Sequence, residues 1–307
     1  MGLIYSVYSL IQEKSDNIGD IWQKLEAIIS PENTPKLAIV LLLMPINWAF
    51  EAWKWQKLAS KVEKISFQEA YKGVLAGLSL SVITPIMLGD FTGKILLLKS
   101  DKRLQSIGAI LLGNAVQLYV SLFFGSMSYL FFVFWVKPTP IFFHLSANFL
   151  LIIALIFGLF LGLNLSKIDT FSTKNKLFNY LKHCLIILKH YDTHELRNIL
   201  LVATARYLVF SLQFLIMLNI FRIHLPIYVL LAGIGMVFLA KTLASTLNFL
   251  GDLSVRAFSS IYYFSFFGVQ TSLIASATLT IWLINVLLPI VVGSIFVLQL
   301  SFSTKNS

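Results

Sequence analysis

Leu145–Leu165 and Leu273–Leu300 are almost unbroken apolar runs, each longer than the ~20 residues that carry a helix across ~30 Å of hydrocarbon. A water-soluble domain interrupts such runs with charge. Here hydrophobic residues make up 57% of the chain and charged ones 12%, against about 45–50% and about 25% in soluble domains. Solid apolar blocks, rather than the ~10-residue alternation of a membrane barrel, leave one class. The chain is read as an all-α polytopic membrane protein.

The net charge of +10 sits mostly in short segments between apolar runs. That pattern orients membrane helices and does not form a stripe for nucleic acid, so no nucleic-acid partner is expected. The single cysteine, Cys184, is read as a reduced cytosolic thiol. No signal peptide is apparent, since Leu3–Ile11 lacks a cationic lead and runs into Glu13 and Asp16.

Ile65–Leu98 is apolar through most of its length but carries Thr84-Pro85 and Leu88-Gly89-Asp90 in its middle. Cations flank both ends: Lys54, Lys57, Lys61 and Lys64 before it, Lys99, Lys102 and Arg103 after it. By the positive-inside rule both ends are cytoplasmic. One straight helix over this stretch would be about 51 Å long and would end on the wrong face. Two arms of about 18 and 13 residues, bent at Thr84–Asp90, reach about 20–27 Å deep, so a re-entrant hairpin is expected. A partial echo follows in Phe249-Leu250-Gly251-Asp252, and again a cation, Arg256, lies four residues beyond the acid. Paired interrupted segments of this kind point to a transport site.

The remaining chain falls into order around these two stretches. Residues 1–35 form an N-terminal interfacial segment, with Ile21, Leu25, Ile28 and Ile29 spaced for one helical face. Residues 36–302 form a single integral membrane domain of five to six full spans plus two re-entrant or broken hairpins. Its spans run from about Lys36 to Trp55, Leu104 to Val136, His144 to Ser166, Glu195 to Phe221 and Gln270 to Leu300, and the second hairpin from Pro226 to Gly268. The half-repeats 36–166 and 195–302, joined by a basic amphipathic cytoplasmic loop over 167–194, read as an inverted repeat.

Asp90 with Lys94, and Asp252 with Arg256, are the foremost substrate-site candidates. An acid at mid-bilayer costs roughly 2.5–3.5 kcal/mol and needs a partner, which a cation one helical turn on supplies. Each pair reads either as a site for polar cargo or as a structural lock on its bend. Arg206, inside a span, must face a carboxylate, a phosphate or water. Glu51 and Lys54 read either as the mouth of a cavity or as an interfacial pair of little weight. Lys241 either pairs with Asp252 or reaches for the membrane surface. The tryptophans Trp48, Trp53 and Trp55 suggest an interfacial belt. His190 and His194 resemble a metal pair, but Asp192-Thr-His-Glu195 reads as a helix cap and no third ligand is apparent, so no metal and no cofactor is expected. No catalytic motif appears; Met87 and Phe249 stand where an intramembrane aspartyl protease needs glycine. The chain is read as a non-enzyme.

One run of features, Asn47-Trp48, Glu51, Lys54-Trp55, then Ser66, Ala70, Gly77, Thr84-Pro85, Gly89-Asp90 and Gly93-Lys94, resembles the membrane region of the lysylphosphatidylglycerol synthase/flippase-like family. Gly113-Asn114, Gln117, Arg206, Gln213, Trp282, Asn285, Pro289 and Gly293 continue the resemblance over residues 36–302. Met87 replaces a usual arginine, and Thr246–Gly251 lacks the usual prolines. The resemblance implies a multi-pass protein of the bacterial cytoplasmic (inner) membrane that moves an aminoacylated or glycosylated lipid between leaflets. By that likeness Asp90, Lys94, Arg206 and the 251–256 turn would touch an anionic or polar head group. The sequence ends without the family's soluble aminoacyl-transferase domain, so lipid synthesis by this chain alone is not expected. Two alternatives stand beside a flippase. One is an accessory scaffold for an envelope-lipid synthase, docking through Lys174, Lys176 and Lys182. The other is a secondary transporter of a soluble ion or metabolite.

Overall fold

The computed structural model describes residues 26, 28–84, 88–98, 103–137, 141–165, 184–244 and 249–303. Residues 1–25 and 27 of the expected interfacial segment lie outside these residues, as do Met87 and the lysines of the basic loop up to Lys182. Of its described part, Ile28 is buried and Ile29 exposed, so these two do not share one helical face as expected. Among the described residues every regular element is helical: α1 (Thr34–Ala59), α2 (Phe67–Ile83), α3 (Leu88–Leu96), α4 (Arg103–Phe131, continued by a π-turn over Phe132–Val136), α5 (Ile141–Leu163), a 3-10 turn (Ile186–His190), α6 (Thr193–Ile220), α7 (Ile227–Leu243), α8 (Phe249–Ser265), α9 (Thr271–Trp282), a π-turn (Leu283–Leu287) and α10 (Leu288–Ser303).

Four of these segments are long and apolar enough to cross a membrane: Thr34–Ala59, Arg103–Val136, Thr193–Ile220 and Thr271–Gln299. The 23-residue α5, about 35 Å long at 1.5 Å per residue, adds a fifth by length. Its outward residues include Phe149, Leu150, Ile156, Phe157 and Phe160, all exposed. A helix apolar on its exposed side is matched to hydrocarbon rather than water. The protein is an all-α polytopic membrane protein.

Contacts gather in two compact units whose limits fall inside the long helices. One unit comprises Asn47–Val120, Ile152–Tyr207 and Pro289–Ser307. Its centre is the hairpin α2–α3. Ser66 starts α2 with a capping box: its hydroxyl accepts from the Glu69 amide at 3.2 Å, and the Glu69 carboxylate accepts from the Ser66 amide at 2.7 Å. The two arms then run antiparallel with their backbones in contact. A Cβ at Gly93 would overlap the Gly77 backbone, one at Gly89 would overlap Leu80 and Ser81, and one at Gly77 would stand 3.0 Å from the Asp90 carbonyl. Glycines are what permit this approach. On α2, Ser79 donates to the Ile290 carbonyl of α10 at 2.7 Å. The α1 end and the α6 start are antiparallel neighbours, joined by Tyr191 donating to the Leu58 carbonyl at 2.6 Å and by Lys61 with Glu195 at 2.6 Å.

The other unit comprises Met1–Ile46, Ser121–Leu151 and Leu208–Leu288. Its hairpin is α7–α8, closed by Tyr263 donating to the Val229 carbonyl at 3.0 Å, with the Tyr263 and Phe264 rings lying against Gly233. Phe132 packs among Tyr262, Tyr263 and Phe266 at 5.4–6.1 Å between centroids. Arg222 ends α6 with φ +57°, and its amide returns to Asn219 while that of Ile223 returns to Leu218. This is a left-handed helix stop with arginine where glycine is favoured.

Candidate functional site

The second arm of each hairpin begins with an acid and carries a cation one turn later. Asp90 lies in the first turn of α3 and Asp252 in the first turn of α8, where unpaired helix amides favour negative charge. Spacing of four then puts Lys94 and Arg256 on the same face. The Lys94 ammonium is 2.8 Å from Asp90 Oδ1, and Arg256 Nε is 2.9 Å from Asp252 Oδ2.

In the α2–α3 unit, this pair belongs to a larger charged cluster. Glu51 on α1 is its hub. Its carboxylate lies 2.7 Å from Lys54, 3.3 Å from Lys94 and 3.4 Å from Arg206 of α6. Helical spacing explains the α1 contribution: Asn47, Glu51 and Lys54 share one face. The Asn47 amide donates to the Arg206 carbonyl at 3.2 Å and thereby holds α6 in register. From α4, Asn114 donates to Asp90 at 3.3 Å, and Gln117 accepts from Arg206 at 3.4 Å. The Arg206 guanidinium also faces the Trp48 ring at 5.1 Å.

Burial is graded across the cluster. Glu51, Lys54 and Lys94 are 6%, 2% and 3% exposed, whereas the side chains of Asp90 and Arg206 retain 23% and 17%. Three cations meet two carboxylates. The Lys54 ammonium is taken up by Glu51 at 2.7 Å, whereas Arg206 Nε has no hydrogen-bond acceptor. A cluster with excess positive charge and an unspent guanidinium donor is chemically suited to an oxyanion such as phosphate.

The α7–α8 unit repeats the acid–cation pair with different surroundings. Trp282 of α9 donates to Asp252 at 3.1 Å, and the Arg256 guanidinium lies over the Phe210 ring of α6 at 5.6 Å. Lys241 of α7 acts electrostatically on Asp252.

No protein-family model and no curated protein matches the chain.

Within the first unit the sequence candidates Glu51, Lys54, Asp90, Lys94 and Arg206 come together, and within the second Asp252 and Arg256 do. Two sequence readings need correction. Of the two readings of Glu51 and Lys54, the interfacial pair of little weight is overturned, because both are buried and ion-paired. Trp48 and Trp55 are buried rather than belted at an interface; Trp53 alone of the three is exposed. Tyr191 and Phe210 were not singled out by the sequence. Asp192 and Glu195 do cap α6 reciprocally at 2.7 and 3.1 Å. His190 thus falls in the turn before α6 and His194 inside it. Among the described residues no group of three metal-ligating side chains is present.

Proposed function

We propose that this protein is a lipid flippase that moves a lipid with a polar, phosphate-bearing head group across the cytoplasmic membrane, without enzymatic chemistry. The observation that carries the reading is the buried cluster on the first hairpin, in which Lys54, Lys94 and Arg206 outnumber Glu51 and Asp90. Ionisable groups inside a membrane protein are expensive and mark pathways for polar cargo. A purely structural lock would neutralise itself; this cluster keeps a positive surplus and a guanidinium N–H of Arg206 without an acceptor.

Two further features support it. The acid–cation turn recurs on the second hairpin, which is the pattern of transporters that handle cargo between repeats. The order of features also resembles the membrane region of the lysylphosphatidylglycerol synthase/flippase-like family, whose cargo is an aminoacylated or glycosylated lipid. In the proposed mechanism the cations take the phosphate and the carboxylates take amino or hydroxyl groups of the head, while the acyl chains stay in hydrocarbon. The reading is tested by head-group movement in vesicles that contain the purified protein. Flux of water-soluble ions in the same vesicles, without lipid movement, would favour the secondary-transporter alternative instead.

A further inference from the structure

A cavity of about 620 Å³ opens between the last turns of α1 and the first turns of α6, within one compact unit. Its two ends differ in chemistry. Lys57, Ser60 and Asn198 form a polar end, and Phe50, Trp53 and Leu201 an apolar one. Trp53 and Leu201 are 43% and 60% exposed, so the apolar end opens along two helices long and apolar enough to span a membrane.

Charge at the polar end is one-sided. Glu195, the carboxylate lining the cavity, is already spent on Lys61 at 2.6 Å and on the Asp192 amide at 3.1 Å. Lys57 is exposed and has no ion-pair partner among the described residues. Lys54 also borders the cavity, 2% exposed and with its ammonium 2.7 Å from Glu51. Two cations beside an apolar cleft are complementary to one class of molecule, a lipid whose phosphodiester lies next to its acyl chains.

We infer that the α1–α6 groove is a binding site for a phosphodiester lipid, with Lys54 and Lys57 on the phosphate and Phe50, Trp53 and Leu201 along the first part of an acyl chain. The inference rests on the transport reading and deepens it by giving the lipid a station outside the hairpin. Lys54 belongs to both places. A phosphate drawn to Lys54 competes with Glu51 for it, and so connects occupancy of the groove to the ion pairs that hold α3.

The test is binding of short-chain phosphatidylglycerol to the purified full chain in detergent, read by native mass spectrometry. Diacylglycerol of the same chain length and inorganic phosphate serve as separate arms. Ala205→Trp fills the groove, and Lys57→Gln removes one cation at an exposed position that folding tolerates. The inference expects each variant to weaken phosphatidylglycerol binding about tenfold, the scale of one charge-assisted contact, with diacylglycerol and phosphate binding poorly. Unchanged lipid affinity in both variants would overturn it, as would phosphate competing as well as the lipid does. Binding lost in both variants while vesicle translocation runs at the wild-type rate would remove the groove from the path and leave the transport reading intact. Groove binding in a protein that translocates no lipid would do the reverse.

Discussion

Glu51 of α1 and Lys94 of α3 approach to 3.3 Å, which ties the returning arm of a hairpin to a long membrane-crossing helix. The same carboxylate also holds Lys54 and Arg206. Glu51→Gln would therefore leave three clustered cations facing one another around a neutral amide. Breaking a buried pair from one side costs about 3–5 kcal/mol, and the partial exposure of Arg206 places this case toward the lower end. A thermal or denaturant melt in detergent should show a marked loss for Glu51→Gln. Glu51→Asp, which keeps the charge, should recover part of it.

Backbone contact within the first hairpin makes a sharp contrast between glycines. A methyl group at Gly93 meets the backbone of Gly77 and Ala76, neither of which can turn aside, whereas one at Gly162 meets nothing within 4 Å. Gly93→Ala should destabilise by about 1–3 kcal/mol, the usual cost of overpacking. Gly162→Ala should be neutral or stabilising by up to about 1 kcal/mol, from helix propensity alone. Paired melts of the two variants decide this.

Beside the second hairpin, Trp282→Phe on α9 keeps an aromatic side chain, though a smaller one, and removes the donor to Asp252. An acceptor that is charged and mostly buried makes this bond worth about 1.5–3 kcal/mol. The loss should shrink when Asp252→Asn is already present, and a double-mutant cycle measures that coupling.

Tyr191 gives a pH signature. Burial, and to a lesser degree the Glu195 carboxylate, push its phenol above the ordinary tyrosine value. The folded chain thus holds this proton more tightly than the unfolded chain. Its contribution is full below pH about 10, the ordinary phenol value, and is lost as pH rises beyond it. Tyr191→Phe should cost about 1 kcal/mol at neutral pH and should flatten the fall in stability at alkaline pH. Stability measured against pH for both proteins checks the sign.

Much of this arrangement was legible in residue order. Apolar runs gave the long helices, and Leu88-Gly89-Asp90 with its echo at Asp252 located both hairpins and both acid–cation turns, because spacing of four is a local property of a helix. The α6 cap at Asp192 and Glu195 was legible for the same reason. Glu51 was legible only as one of two readings, a cavity mouth or an interfacial pair, because nothing local says that α3 and α6 close over it. Trp48 and Trp55 misled similarly: a tryptophan cluster near lysines has the composition of an interface, and only packing against neighbours decides burial. Phe210 beneath Arg256 and Tyr191 against Leu58 join residues far apart in the chain and leave no signature in spacing.

The most direct measurement is the rate at which a labelled, phosphate-bearing lipid changes leaflet in vesicles holding the purified protein. Wild-type protein should speed that movement over empty vesicles, and Asp90→Asn combined with Asp252→Asn should slow it while the protein remains folded. Equal rates for wild type and the double variant, or no movement beyond that of empty vesicles, would contradict the account.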